Sequence, residues 1–233
     1  MIRIGIFSDI HSDYAALSAM IDKMPECDEY VCLGDLVCMG GNPNECFELL
    51  KTFDNLTYLK GNHDEAVEMI GRGITPTGYP DAVVEHQKFF ADIISDECAR
   101  MISSALYKLE RVYDGLKITF LHYASREGVW AQSDDPVAAL EDVDGDVIVF
   151  GHTHEAFDKT VGKRYLSFGS LGCPHAKIGV GYAGILEIDR GKCLAKKIKI
   201  EYDIQEPIES LKRLSPPNLK FVLKKFYGED YND

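Results

Sequence analysis

Apolar positions along this chain switch between two periods, and a short polar turn follows most of the switches. Ile2 to Phe7 is a compact run rich in isoleucine, which predicts a buried strand. Ser12 or Asp13 can then cap a helix from Tyr14 to about Met24, with Leu17, Met20, Ile21 and Met24 on one face. Tyr30 to Leu33 predicts a second strand, and Asn42-Pro43 a cap and first helical residue for Asn44 to Thr52. Leu56 to Lys60 predicts a third strand, running into the turn Gly61-Asn62-His63-Asp64 and another segment of helical spacing. Alternating strands and helices of this kind imply a parallel sheet in an α/β fold.

The pattern then changes. Gly71 to Asp81 is rich in Gly, Pro and Thr and reads as a loop. Amphipathic segments at Ala82 to Ile94 and Asp96 to Leu106 follow, so 71–106 is expected to be a helical cap or insertion beside the sheet. Leu109 to Tyr113 and Leu116 to Leu121 flank Asp114-Gly115, a pair suited to a type I′ hairpin turn. Pro136 opens a short helix to about Leu140, and Val147 to Phe150 is a continuous apolar strand. Strands at Phe157 to Val161, Arg164 to Ser167, Tyr182 to Ile188 and Leu194 to Glu201 make the second half rich in antiparallel pairing. The tail, 202–233, reads as two helices around Pro216-Pro217 with a disordered acidic end. With 233 residues, 45% of them hydrophobic, residues 1–233 are expected to form a single domain around a substantial core.

Charge narrows the partners. A formal net charge of -13 with no basic run argues against nucleic acid and anionic membrane surfaces, and an anionic substrate would need a local positive centre. The seven cysteines show no Cys-x-x-Cys spacing and read as reduced thiols. No apolar stretch is long enough to span a bilayer and the N-terminus lacks a secretory pattern, so the expected location is cytoplasmic. Oligomerisation is left open.

The candidate chemistry sits where the strands stop. Five of the seven histidines, His11, His63, His122, His152 and His154, lie within three residues of a predicted strand end, together with Asp9, Asp35, Asn62 and Asp64. Each piece alone has an ordinary reading, as a turn, a cap or a packed histidine. Together, strands lying side by side would bring all nine side chains to one rim. Imidazole, carboxylate and amide without thiolate suit manganese, iron or zinc and differ from a structural zinc site. His152-x-His154 in an extended segment puts both rings on one side and is the strongest single signal.

These motifs, Asp9-x-His11, Gly34-Asp35, Gly61-Asn62-His63-Asp64, His122 and Gly151-His152-x-His154, resemble the signature of the calcineurin-like metallophosphoesterase superfamily over roughly Ile2 to Leu186. With Asn42-Pro43-Asn44-Glu45 following the second motif, the likeness is nearest to the small prokaryotic phosphodiesterases. The resemblance implies a four-layer α/β/β/α sandwich and a phosphoesterase with two metal ions, manganese being the natural choice for assay. By the same likeness Asp9, His11, Asp35 and His154 hold one ion, and Asp35, Asn62, His122 and His152 the other, with Asp35 bridging. Such ions acidify a shared water and bind the phosphate. His63 would then serve the leaving oxygen, with Asp64 orienting its ring and raising its basicity.

Departures from the family pattern bear on the substrate. Members acting on phosphoproteins carry an Arg where this chain has Met39, and a thioether cannot clamp a monoester dianion. A phosphodiester or a nucleotide is favoured. The alternatives are a dinucleoside-polyphosphate hydrolase or phosphoprotein phosphatase, and behind those a non-catalytic interaction module. Arg126 and Trp130 could offer a guanidinium and a stacking face, and His175 stands where relatives carry Arg; each can equally be a surface or packing residue.

Overall fold

A computed structural model describes residues 1–126, 129–130, 135–173 and 177–230, the side chains of 125–126 and 129–130 excepted. In chain order the elements are β1 (Ile2–Phe7), α1 (Tyr14–Lys23), β2 (Glu29–Cys32), α2 (Pro43–Leu50), β3 (Leu56–Tyr58), α3 (Asn62–Gly71), α4 (Asp81–Ile93) and α5 (Asp96–Ser104). They continue as β4 (Lys108–Tyr113), β5 (Leu116–Leu121), β6 (Ser125–Arg126), β7 (Val129–Trp130), α6 (Pro136–Ala139), β8 (Val147–Phe150), β9 (Ala156–Val161) and β10 (Lys163–Phe168). The last are β11 (Val180–Asp189), β12 (Lys192–Glu201), α7 (Gln205–Leu214) and α8 (Leu219–Tyr227).

Two five-stranded sheets result, in the orders β12-β11-β1-β2-β3 and β4-β5-β8-β10-β9. β1, β2 and β3 run parallel, as do β5, β8 and β10, while β11, β12, β4 and β9 are added antiparallel. Strand alternation sets the layers, because successive side chains point to opposite faces. Ile4, Ile6, Val31 and Leu33 of the first sheet meet Phe120, Val147, Val149 and Leu166 of the second in one buried cluster between the sheets. The intervening residues face outward. Phe7, Cys32 and Tyr58 pack under α1, α2 and α3, and Ile148, Phe150 and Tyr165 pack against the short α6 region. The four-layer α/β/β/α sandwich is therefore present, with one thin helical layer.

Several boundaries differ from expectation for identifiable reasons. α4 and α5 bury Phe90, Cys98 and Ile102 in the same cluster as Phe7, so they lengthen the helical layer over the first sheet. Asn42 makes no side-chain cap to α2, whereas Asp13 caps α1 by accepting from the Ala16 N–H at 3.0 Å. β3 ends at Tyr58, and Leu59 makes an isolated parallel bridge to Leu106. The tail helices close a separate cluster of Ile208, Leu211, Leu219, Val222 and Phe226 with Cys173. All seven cysteines are free, and no helix among the described residues is long and apolar enough to cross a membrane.

Candidate metal centre

Parallel pairing brings the carboxyl ends of β1, β2 and β3 to one edge, where open α/β sheets place their ligands. Backbone bonds carry that pairing past the strands: the Asp9 N–H donates to Gly34 O at 2.9 Å, and the His11 N–H to Asp35 O at 3.0 Å. Gly34 has φ +111, and a Cβ there would lie 2.5 Å from the Gly61 N, so the second and third motifs touch through backbone. The edge of the second sheet abuts this one. The His152 N–H donates to Asp9 Oδ2 at 3.1 Å, and the His122 Nδ1–H donates to Leu33 O at 3.0 Å.

Left-handed backbone is concentrated here. Asp9, His11, Asp35, His152 and His154 have φ between 51 and 68. Each such residue other than glycine is strained by roughly 1–2 kcal/mol, and strain of this kind collects at functional sites. The tight turns it permits aim successive side chains at a common point.

All seven expected metal ligands meet there. Asp9, His11 and His154 present ligand atoms within 4.8 Å of one another, as do Asp9, Asp35 and His122. His122 Nε2 is 3.3 Å from Asp35 Oδ2 and 4.0 Å from Asp9 Oδ1, and His11 Nε2 is 3.9 Å from Asp35 Oδ2. Asn62 Oδ1 lies 2.8 Å from His152 Nδ1 and 3.1 Å from His122 Nε2. Asp9 is the residue common to both groups; Asp35 belongs to the second and reaches towards the first only through His11, 3.9 Å away.

The residues fit a bound cation on three counts. Asp9 Oδ1 is fully buried, makes no hydrogen bond and has His154 Nε2 at 3.4 Å as its nearest partner, so the carboxylate needs positive charge beside it. The Nε2 atoms of His11 and His154 point at each other across 3.0 Å, so without a cation one of them must carry a proton. His122 and His154 each spend Nδ1–H on a carbonyl, Leu33 O and Cys173 O, which turns the Nε2 lone pair inward as in outer-shell-oriented metal histidines.

Electrostatics point the same way. Burial raises Asp9 and Asp35, yet His154 beside Asp9 and His122 beside Asp35 outweigh it and hold both below the usual carboxylate range. Burial lowers His122, but Asp35 and Asp9 push it up to about 9. Burial and His154 bring His11 down to about 3, and burial and His122 bring His152 down to about 4. Protons are thus favoured at His122 and His154, which face the carboxylates, and disfavoured at the neighbouring rings of His11 and His152.

His63 and Asp64 come together differently from expectation. The His63 N–H donates to Asp35 Oδ1 at 2.9 Å, its ring stands edge-on to His11 at 5.4 Å, and its Nδ1 is buried without a partner. Asp64 does not orient that ring. Its carboxylate accepts instead from the N–H groups of Asp35 (2.8 Å), Leu36 (3.1 Å) and Gly61 (2.9 Å) and from the Tyr58 hydroxyl at 2.5 Å. The reason is positional: as the third residue of α3, Asp64 faces the free N–H groups at the helix start and of the Asp35 turn packed on it. Burial, with the Asp35 charge, raises its carboxyl to about 6.

Sequence reasoning missed four neighbours. Tyr58 holds Asp64, Tyr79 donates to Asn62 O at 3.3 Å, Tyr123 stacks on His152 at 4.8 Å and 23°, and His86 accepts from the Met39 N–H at 3.1 Å. Only Tyr123, next to His122, carried a signal in its position. Of the three substrate-binding candidates, His175 and the side chains of Arg126 and Trp130 lie outside the described residues; the backbone of the latter two forms the β6–β7 ribbon.

Comparison with known proteins adds four likenesses. A family model described as the calcineurin-like phosphoesterase superfamily domain matches residues 2–191. An uncharacterized protein of Methanocaldococcus jannaschii, MJ0912, is 28% identical over 236 residues, covering 89% of this chain and 91% of that protein. Among solved structures, a metallophosphoesterase from Sphaerobacter thermophilus aligns with a TM-score of 0.77 at 21% identity, over 97% of this chain and 98% of its own. A hypothetical protein from Pyrococcus horikoshii OT3, PH1004, aligns with a TM-score of 0.77 at 18% identity, over 99% and 100%.

Proposed function

Because the chain belongs to the calcineurin-like phosphoesterase superfamily, we propose that it is a metal-dependent phosphoester hydrolase, and within that class a phosphodiesterase or nucleotide hydrolase with a two-metal centre. The observation that carries this reading is the meeting of Asp9, His11, Asp35, His122 and His154 around the buried Asp9 carboxylate, which both groups share. Asp9, His11, Asp35 and His154 would hold one ion; Asp35, Asn62, His122 and His152 the other, with Asp9 near enough to contribute to both. When bound, manganese, iron or zinc would supply the positive charge for an anionic phosphate and lower the pKa of a water for attack on phosphorus.

The chain's own groups do the rest. The carbonyls of Leu33 and Cys173 keep the His122 and His154 rings in the ligating tautomer. Asp64 holds the backbone N–H of Asp35, and so the direction of a carboxylate that would serve both ions. His63 would give a proton to a departing oxygen, a role supported by its partnerless Nδ1 and its ring contact with His11. The diester preference is supported by Met39, whose apolar side chain offers nothing to the second charge of a monoester dianion.

The test is hydrolysis of bis(p-nitrophenyl) phosphate with added manganese. Asp35→Asn is expected to abolish turnover, and His63→Ala to lower kcat by roughly 100-fold or more, the range for loss of a general acid. Wild-type turnover in either variant would refute the assignment.

A further inference from the structure

A cavity of about 280 Å³ opens between the second-motif turn, α4 and α8, lined by Met39, Val83, His86, Asn218, Phe221 and Val222 among others. Two chain paths tie it to the candidate centre. The Gly40 N–H donates to His11 O at 2.8 Å, which puts the Cα of Met39 within about 6 Å of that carbonyl by bond lengths alone. On the other wall, Ala82 and Val83 follow closely on Tyr79, whose hydroxyl donates to Asn62 O at 3.3 Å.

Its chemistry is unlike that of the centre. A thioether, a valine, a phenyl ring and an imidazole form the walls. Both nitrogens of His86 are engaged, Nε2 by the Met39 N–H and Nδ1 by Pro217 O at 2.6 Å, so the ring presents no free polar atom. Asn218 spends its Nδ2 on Ala82 O at 2.6 Å, and its Oδ1 accepts no hydrogen bond from the described residues. Phe221 is 61% exposed and lies off the face of α8 that Leu219, Val222, Leu223 and Phe226 use to pack the tail. Tail packing does not explain it.

We propose that this cavity is a subsite for the base of a nucleoside phosphoester whose phosphate lies at the candidate centre. The inference rests on the phosphodiesterase reading and names its substrate class. The volume falls just below the roughly 300–1,000 Å³ of sites that enclose a whole drug-sized ligand, and so suits one ring system of a larger substrate. Apolar faces with one unspent acceptor match a flat heterocycle carrying an N–H on its edge. Base stacking on an aromatic side chain is sequence-tolerant and strong enough to change affinity by roughly tenfold or more.

The test compares thymidine 5′-p-nitrophenyl phosphate with methyl p-nitrophenyl phosphate under manganese, which share a leaving group and differ in the nucleoside. Wild-type kcat/KM is expected to favour the nucleoside ester by about tenfold or more, and Val83→Trp, which fills the cavity, and Phe221→Ser, which strips its mouth, to bring the ratio towards one. Hydrolysis of both esters with a ratio near one in the wild type, or a ratio unmoved by both substitutions, overturns the subsite and leaves the phosphodiesterase reading standing. If neither ester is hydrolysed, that reading fails instead. Equilibrium dialysis of thymidine then decides the subsite separately: binding lost in Val83→Trp supports it, and no binding by the wild type overturns it.

Discussion

Replacing Asp64 with alanine separates a positioning carboxylate from one that tunes His63. Asp64→Ala removes the acceptor from the N–H groups of Asp35, Leu36 and Gly61 and from the Tyr58 hydroxyl, all of them buried. A buried donor left unsatisfied costs about 1–3 kcal/mol. Taking the low end for three backbone donors, because water entering the vacated space recovers part, gives about 3 kcal/mol. Against a total stability of about 5–15 kcal/mol, that is a large fraction. Urea unfolding of the metal-free protein should show it as a lower midpoint with an unchanged slope. Tyr58→Phe, which removes one hydrogen bond to a charged acceptor, should lose about 1.5–3 kcal/mol by the same assay. The reasoning is refuted if Asp64→Ala unfolds within 1 kcal/mol of the parent, a margin about a third of that expected, while shifting the pH profile of turnover, because Asp64 would then act on the His63 ring and not on the turn.

Three further outcomes are expected. Gly34→Ala places a Cβ against the Gly61 backbone at a φ of +111 and should destabilise by about 3 kcal/mol or more, read by thermal or urea melting. His86 is held below its ordinary value of 6.5 by burial, although its bond to Pro217 opposes the shift. Its contribution is therefore complete above pH 6.5 and is lost as the pH falls towards its folded value. Urea titrations on the acid side of 6.5 should lose this component in His86→Gln. Manganese at 100 times its Kd should stabilise the wild type by about 2.7 kcal/mol, reversed by chelator, and Asp9→Asn should abolish that shift in calorimetry.

Much of the fold was legible because period and punctuation agreed. Ile2–Phe7, Leu116–Leu121 and Val147–Phe150 are strands over the stretches their patterns mark, and Asp114-Gly115 forms its hairpin with both residues at positive φ. The gathering of the candidate residues was legible for a related reason: each follows a strand that ends at the same rim. What the pattern could not carry was contact between segments distant in sequence. Asp64 lies next to His63 in the chain, but helical geometry turns its carboxylate to amides 28 and 29 residues away. Tyr79 reaches Asn62, and His86 the turn at Met39, from a stretch whose composition spoke only of a loop and an amphipathic helix, and the packing of α4 and α5 into the main cluster is likewise a three-dimensional fact.

Ownership of the ligand set is divided. Asp9, His11, Asp35 and Asn62 hang from the first sheet, and His122, His152 and His154 from the second, so neither half carries a complete grip. An ion held by these residues would act as a rivet through the seam between layers. A chain in which only one layer had formed would lack part of that grip, which would tie ion uptake to finished assembly.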